Sequence, residues 1–123
     1  NEVYATGPTH VLNFGTSTKS CLISIDNNDV VYVGNVDSNN KVNKIHFGTL
    51  GGNWQSLQLT TQVSKDQLYV TSSGKVCIND NSKHTLTEIN TSKSLTYEGT
   101  FLNLYSNGIA SLRDGNLVKT PFK

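Results

Sequence analysis

The chain has no methionine, only two alanines (Ala5 and Ala110) and only three glutamates in 123 residues. These residue types favour helix, and their scarcity argues against an α-helical protein or a coiled coil. Proline occurs twice, at Pro8 and Pro121, so no proline interrupts the middle of the chain. No apolar run approaches the roughly 20 residues that a membrane-spanning helix needs. Charge of either sign is also in short supply. The formal net charge is +1, with nine lysines and one arginine scattered along the sequence, which leaves no bulk charge with which to hold nucleic acid. What the chain does have is 42 Asn, Thr and Ser residues beside 33 Leu, Ile, Val and Phe residues. That apolar content is enough for a core, and the length suits one domain spanning residues 1–123.

Short runs rich in β-branched, aromatic and leucine residues follow one another with hardly a break. They predict about twelve strands, at 11–14, 21–25, 30–33, 44–47, 57–61, 68–71, 75–78, 85–89, 95–98, 101–105, 109–113 and 117–120. Each is bounded by Gly, Asn, Asp or Ser clusters. Asn107-Gly108 and Asp114-Gly115 are two-residue hairpin signals, because a type I′ turn needs positive φ at both central positions. Ser73-Gly74 predicts a further hairpin. The class is therefore all-β. Leu12-Asn13-Phe14, Leu57-Gln58-Leu59 and Leu102-Asn103-Leu104 recur at a constant 45-residue spacing. Threefold repetition of a four-strand unit makes a β-trefoil the preferred architecture, with a β-sandwich or other small barrel as the alternative.

Cys21 and Cys77 are the only cysteines. An even count at wide separation predicts one disulfide in a secreted domain, and two buried free thiols are the other reading. The Asn1 start without methionine suits a mature chain that has lost a signal peptide, or equally a segment cut at a domain boundary. Asn90-Thr91-Ser92 is the one N-glycosylation sequon.

Signs of chemistry are few. No Gly-x-Ser-x-Gly elbow, CxxC or His/Cys cluster is present, and His10, His46 and His84 lie far apart, so no catalytic residue, metal site or cofactor is expected. Asp26, Asp29 and Asp37, with the asparagines around them, have oxygens suited to Ca²⁺ but lack EF-hand spacing. Local Asx turns account for them without a metal. Asn53, Trp54 and Gln55 form a candidate sugar contact, an indole face to stack on a pyranose with amides to bond its hydroxyls.

Leu68-Tyr-Val-Thr-Ser-Ser-Gly-Lys-Val-Cys-Ile-Asn-Asp80 and Gly99-Thr-Phe-Leu-Asn-Leu-Tyr105 resemble parts of the C-terminal β-rich domain of yeast cell-wall mannoproteins of the internal-repeat type. The resemblance spans about 40 residues, from Leu68 to Ile109. The family's four-cysteine pattern is absent, no cysteine follows Tyr105, and the Gln-bearing repeats that attach those proteins to glucan are missing. The resemblance therefore implies a wall-associated domain without covalent linkage. The lone sequon, the Asn1 start and the basic Lys123 also resemble the small glycosylated propeptide released from a yeast wall protein.

Together these readings predict a secreted, non-catalytic fungal cell-wall domain that acts through surface contacts in adhesion. Its expected partners are wall glycan or wall mannoprotein; nucleic acid is not expected, nor a membrane span, and the chain is expected to be a monomer. A β-trefoil lectin is the first alternative function. A protease-inhibitor or cytokine-like trefoil is the second.

Overall fold

In the computed structural model, which describes residues 19–49 and 51–123, the regular secondary structure is almost entirely strand. Eleven strands form: β1 (Lys19–Ile25), β2 (Val31–Val36), β3 (Lys41–Gly48), β4 (Trp54–Ser64), β5 (Leu68–Val70), β6 (Val76–Asp80), β7 (Thr85–Glu88), β8 (Ser94–Thr96), β9 (Thr100–Tyr105), β10 (Gly108–Arg113) and β11 (Asn116–Pro121). A single 3₁₀ turn over Lys65–Gln67 joins β4 to β5. All eleven strands coincide with runs expected from the sequence. The twelfth run, at 11–14, lies outside the described residues. No helix among the described residues is long and apolar enough to cross a membrane.

Each strand pairs with its sequence neighbour, giving three antiparallel meanders. The first sheet has the order β1-β2-β3-β4, the second β5-β6-β7-β8 and the third β11-β10-β9. Among the described residues the sheets are open and packed sandwich-like. The trefoil expectation, which needs a closed barrel, is not met, and the alternative of a sandwich describes the fold. The spacing that suggested threefold repetition joins unlike positions. Leu57–Leu59 sits in β4, the last strand of its sheet, and Leu102–Leu104 in β9, the first of its own.

The second sheet is the shared wall. One apolar cluster joins it to the first sheet, with Tyr32, Val42, Ile45, Leu59 and Val63 meeting Leu68, Val76 and Ile89. Another joins it to the third sheet, with Cys77, Leu86 and Tyr97 meeting Ile109, flanked by Phe101, Leu104 and Phe122. Ile45 and Ile109 are completely buried, one in each cluster. Such burial stabilises by about 1.5 to 3 kcal/mol per side chain.

The turns repeat one design. In Asp26–Val30 and Asp37–Lys41 the first residue's backbone N–H bonds the fifth residue's carbonyl, and the fourth residue is left-handed (Asp29, φ 61°; Asn40, φ 60°). The aspartate Oδ1 accepts two further N–H groups, from Asn28 and Val30 in one case and Asn39 and Lys41 in the other. Thr71–Lys75 follows the same plan, with the Thr71 hydroxyl accepting from Lys75 N and Gly74 in the left-handed position. These are Asx-type turns, and they occupy the carboxylates of Asp26 and Asp37. Asp114 and Gly115 both have positive φ, as the expected type I′ turn requires. The other expected I′ turn is displaced by one residue. Ser106 and Asn107 form the loop, neither has positive φ, and Gly108 opens β10. Gly108 is needed for closeness, because a Cβ there would collide with the backbone of Thr120 and Pro121.

Gly48 pairs across the β3–β4 hairpin with Trp54. A Cβ at Gly48 would lie 2.6 Å from Asn53 O and 2.9 Å from the indole ring, so the ring rests on bare backbone. Gly48→Ala is expected to destabilise the protein by about 1 to 3 kcal/mol, read as a lowered midpoint in urea unfolding. An unchanged midpoint would show that the hairpin yields.

Candidate functional site

The structure does not bring the three residues of the expected sugar contact, Asn53, Trp54 and Gln55, onto one face. Trp54 is half-buried, its Nε1 donates to Thr49 O at 2.9 Å, and the indole is fixed against Gly48. Asn53 and Gln55 are exposed. Trp54 and Gln55 are consecutive strand residues, so their side chains leave opposite faces of the sheet.

The expected Cys21–Cys77 disulfide does not form, and both thiols are free. Cys21 packs at the margin of the cluster between the first and second sheets, whereas Cys77 belongs to the cluster on the other side of the second sheet. The wall separates the two sulfurs. Burial, and then the nearby Glu88 carboxylate, push the Cys77 thiol from an ordinary 9.0 up to about 11. Cys77 is therefore an uncharged packing group at neutral pH.

His84 is left-handed (φ 54°), pairs Nδ1 with Gly99 O at 2.8 Å and stands edge-on to Tyr97, which is a structural role. His46 lies on β3, where burial and then the charge of Lys44 lower its pKa. His10 falls outside the described residues. Among the described residues, no three His, Cys, Asp or Glu side chains gather as a metal would need.

Asn90 of the sequon is exposed and left-handed (φ 58°), in the turn between β7 and β8. Its side-chain amide bonds the backbone of β4 twice. Nδ2 donates to Gln58 O at 2.8 Å, and Oδ1 accepts from Thr60 N at 3.0 Å. Asn90 thus ties the second sheet to the last strand of the first, through the atom to which an N-glycan would be joined.

One groove gathers polar groups from all three sheets. The β1–β2, β5–β6 and β9–β10 turns converge there around a volume of about 310 Å³, lined by Asp26, Asn27, Ser72, Leu104, Tyr105 and Ser106 among others. Three hydrogen bonds hold the turns together. The Tyr32 hydroxyl lies 3.2 Å from Asp26 Oδ2 and 3.4 Å from Gly74 O, and Ser72 Oγ donates to Ser106 O at 2.6 Å. Burial and then the Asp26 carboxylate raise the Tyr32 pKa, so this phenol stays protonated and able to donate. Asp26 accepts three hydrogen bonds, which leaves about one acceptor position for a ligand. The Tyr105 ring carries the Lys119 ammonium 5.5 Å from its centroid. The groove thus offers a carboxylate oxygen, an amide, hydroxyls and an aromatic ring, a set suited to binding a polyhydroxylated ligand. Sequence reasoning singled out only the oxygens around Asp26 and missed the groove, because its residues come from three turns far apart in the chain.

The chain matches no protein-family model, no curated protein and no solved structure.

Two outcomes follow for stability. Asn90→Ala should cost about 1 to 2 kcal/mol in urea unfolding through loss of both hydrogen bonds to β4, while Ser92→Ala, which also abolishes the sequon, should stay within about 0.5 kcal/mol of the parent. Equal effects would refute the clamp. For Cys77, the folded state holds the thiol proton more tightly than the unfolded state. Its contribution is complete below pH 9 and is lost as pH rises from 9 to about 11. Stability should fall by about 2 to 3 kcal/mol over that window, and Cys77→Ala should flatten the decline.

Proposed function

We propose that the protein is a non-catalytic recognition domain that works at a glycan-rich cell surface and takes carbohydrate in the groove where the three sheets' turns meet. The observation that carries this reading is the convergence of Asp26, Asn27, Ser72, Tyr105 and Ser106 from separate turns. Sugars present fixed hydroxyls and apolar ring faces. A carboxylate oxygen, an amide and serine hydroxyls answer the first, and a tyrosine ring answers the second. The groove is open, so a segment of a long chain can lie across it. The resemblance of the segment Leu68 to Ile109 to yeast cell-wall mannoproteins supports a wall matrix as the setting, with wall glycan as the ligand.

A glycan array and co-sedimentation with insoluble wall polysaccharides test the proposal. Saturable binding is expected, weakened about tenfold or more in Tyr105→Ala and Asn27→Ala, a loss of about 1.4 kcal/mol. Trp54→Phe should bind as the parent does, since Trp54 lies outside the groove. An intact protein that retains no glycan, or binding that tracks Trp54 and ignores Tyr105, overturns it.

A further inference from the structure

A second groove lies on the other side of the β5–β6 turn and has different chemistry. It encloses about 400 Å³ on the face of the second sheet that looks toward the third, beside Phe122 where the chain leaves β11. Leu86, Leu95, Phe122 and Cys77 supply the apolar surface, all members or neighbours of the cluster between those sheets. Lys75, Lys93 and Lys123 line it too, reaching it from the β5–β6 turn, the β7–β8 turn and the segment after β11. A third of the chain's nine lysines thus meet at one groove, in a protein whose net charge is only +1.

A single acid, Glu88, lines the groove with them. Its carboxylate stands 3.9 Å from Lys75 Nζ, a loose pair with the lysine largely exposed. Among the described residues, neither Lys93 nor Lys123 has an ion-pair partner. The rim therefore keeps an excess of positive charge above an apolar floor. A cleft of this size holds a small molecule, and mainly apolar walls with a few charged groups at one side orient it. A sugar does not suit it, because the floor would leave hydroxyls without partners.

We propose that this groove binds a small amphipathic anion, an apolar body seated on Leu86, Leu95 and Phe122 with a carboxylate or sulfonate head among Lys75, Lys93 and Lys123. The site adjoins the carbohydrate groove at Thr71 but shares none of the residues proposed to hold either ligand, and it does not depend on that groove. Its selectivity comes from charge. Glu88 opposes the head group and so weakens binding, as a nearby like charge must.

The full chain is titrated with 8-anilinonaphthalene-1-sulfonate, followed by fluorescence, and with decanoate as a competitor. Saturable binding at one site is expected, displaced by decanoate. N-phenyl-1-naphthylamine, with the same rings and no charge, should bind at least tenfold more weakly. Lys75→Gln combined with Lys93→Gln should weaken the sulfonate about tenfold, while Glu88→Gln should tighten it severalfold. Leu117→Lys, on an exposed face of the third sheet, should leave it unchanged. Displacement of the dye by decanoate shows that carboxylate and sulfonate heads share the site. Absence of binding by the parent, equal binding of the neutral dye, indifference to the lysine pair, or loss in Leu117→Lys would each overturn the proposal. Lys75 and Lys93 are exposed and Glu88 is half-buried at the rim, outside the core clusters, and circular dichroism confirms the fold in each variant.

Discussion

The structure depends on one strand that is apolar on both faces. In β6, Val76, Cys77 and Asn79 are buried and Ile78 is half-buried, although consecutive side chains leave opposite sides of a sheet. Val76 and Ile78 enter the cluster with the first sheet, while Cys77 enters the cluster with the third. A four-stranded meander with only one apolar face needs one partner. This one needs two, and the three-layer order follows from that requirement. The single polar side chain buried in β6 is satisfied: Asn79 Oδ1 accepts from the Tyr97 hydroxyl, and its Nδ2 donates to Asn81 at 2.8 Å. An unpaired amide there would cost more than the strand's packing could easily offset.

The same constraint decides what became of the two cysteines. Val76-Cys77-Ile78 reads as an uninterrupted apolar run, which is how a strand covered on both sides appears in a sequence. Cys77 sits there as a small hydrophobe, and the alternation of the strand sends its sulfur away from the layer that holds Cys21. Counting cysteines carries no information about which face of a sheet each one occupies. The alternation does, once β6 is known to be an inner strand of the middle layer.

The fold was legible where the chemistry is local. Strand positions follow from β-branched and aromatic runs, and turns from residues that tolerate positive φ, so the eleven observed strands and the Asp114-Gly115 turn could be read directly. The Asx turns at Asp26 and Asp37 were also readable as alternatives to a metal. Architecture was not readable to the same depth. The recurrence of Leu-x-apolar triplets describes a strand pattern, and Leu57 and Leu102 show that the same pattern serves the last strand of one meander and the first of another. Trp54's placement was not legible for a related reason. An aromatic beside two amides looks like a sugar platform, but Gly48 across the hairpin makes it the indole's seat.

Both grooves arise from the layering. Three meanders packed in series bring hairpin ends together at the sides of the stack, and such ends carry the polar residues that turns demand. Asp26, Ser72 and Ser106 were placed by turn geometry, and the bonds through Tyr32 and Ser72 that join those turns hold them in one place. The result is a polar groove on a rigid frame, with no moving part needed to form it. The lysine-rimmed groove has the opposite origin. It exposes part of the second apolar face of the central sheet, which Phe122 borders without closing. A wall that must be apolar on both sides leaves apolar surface wherever the outer layer stops, and lysines around that margin keep the surface soluble while giving it a preference for anions.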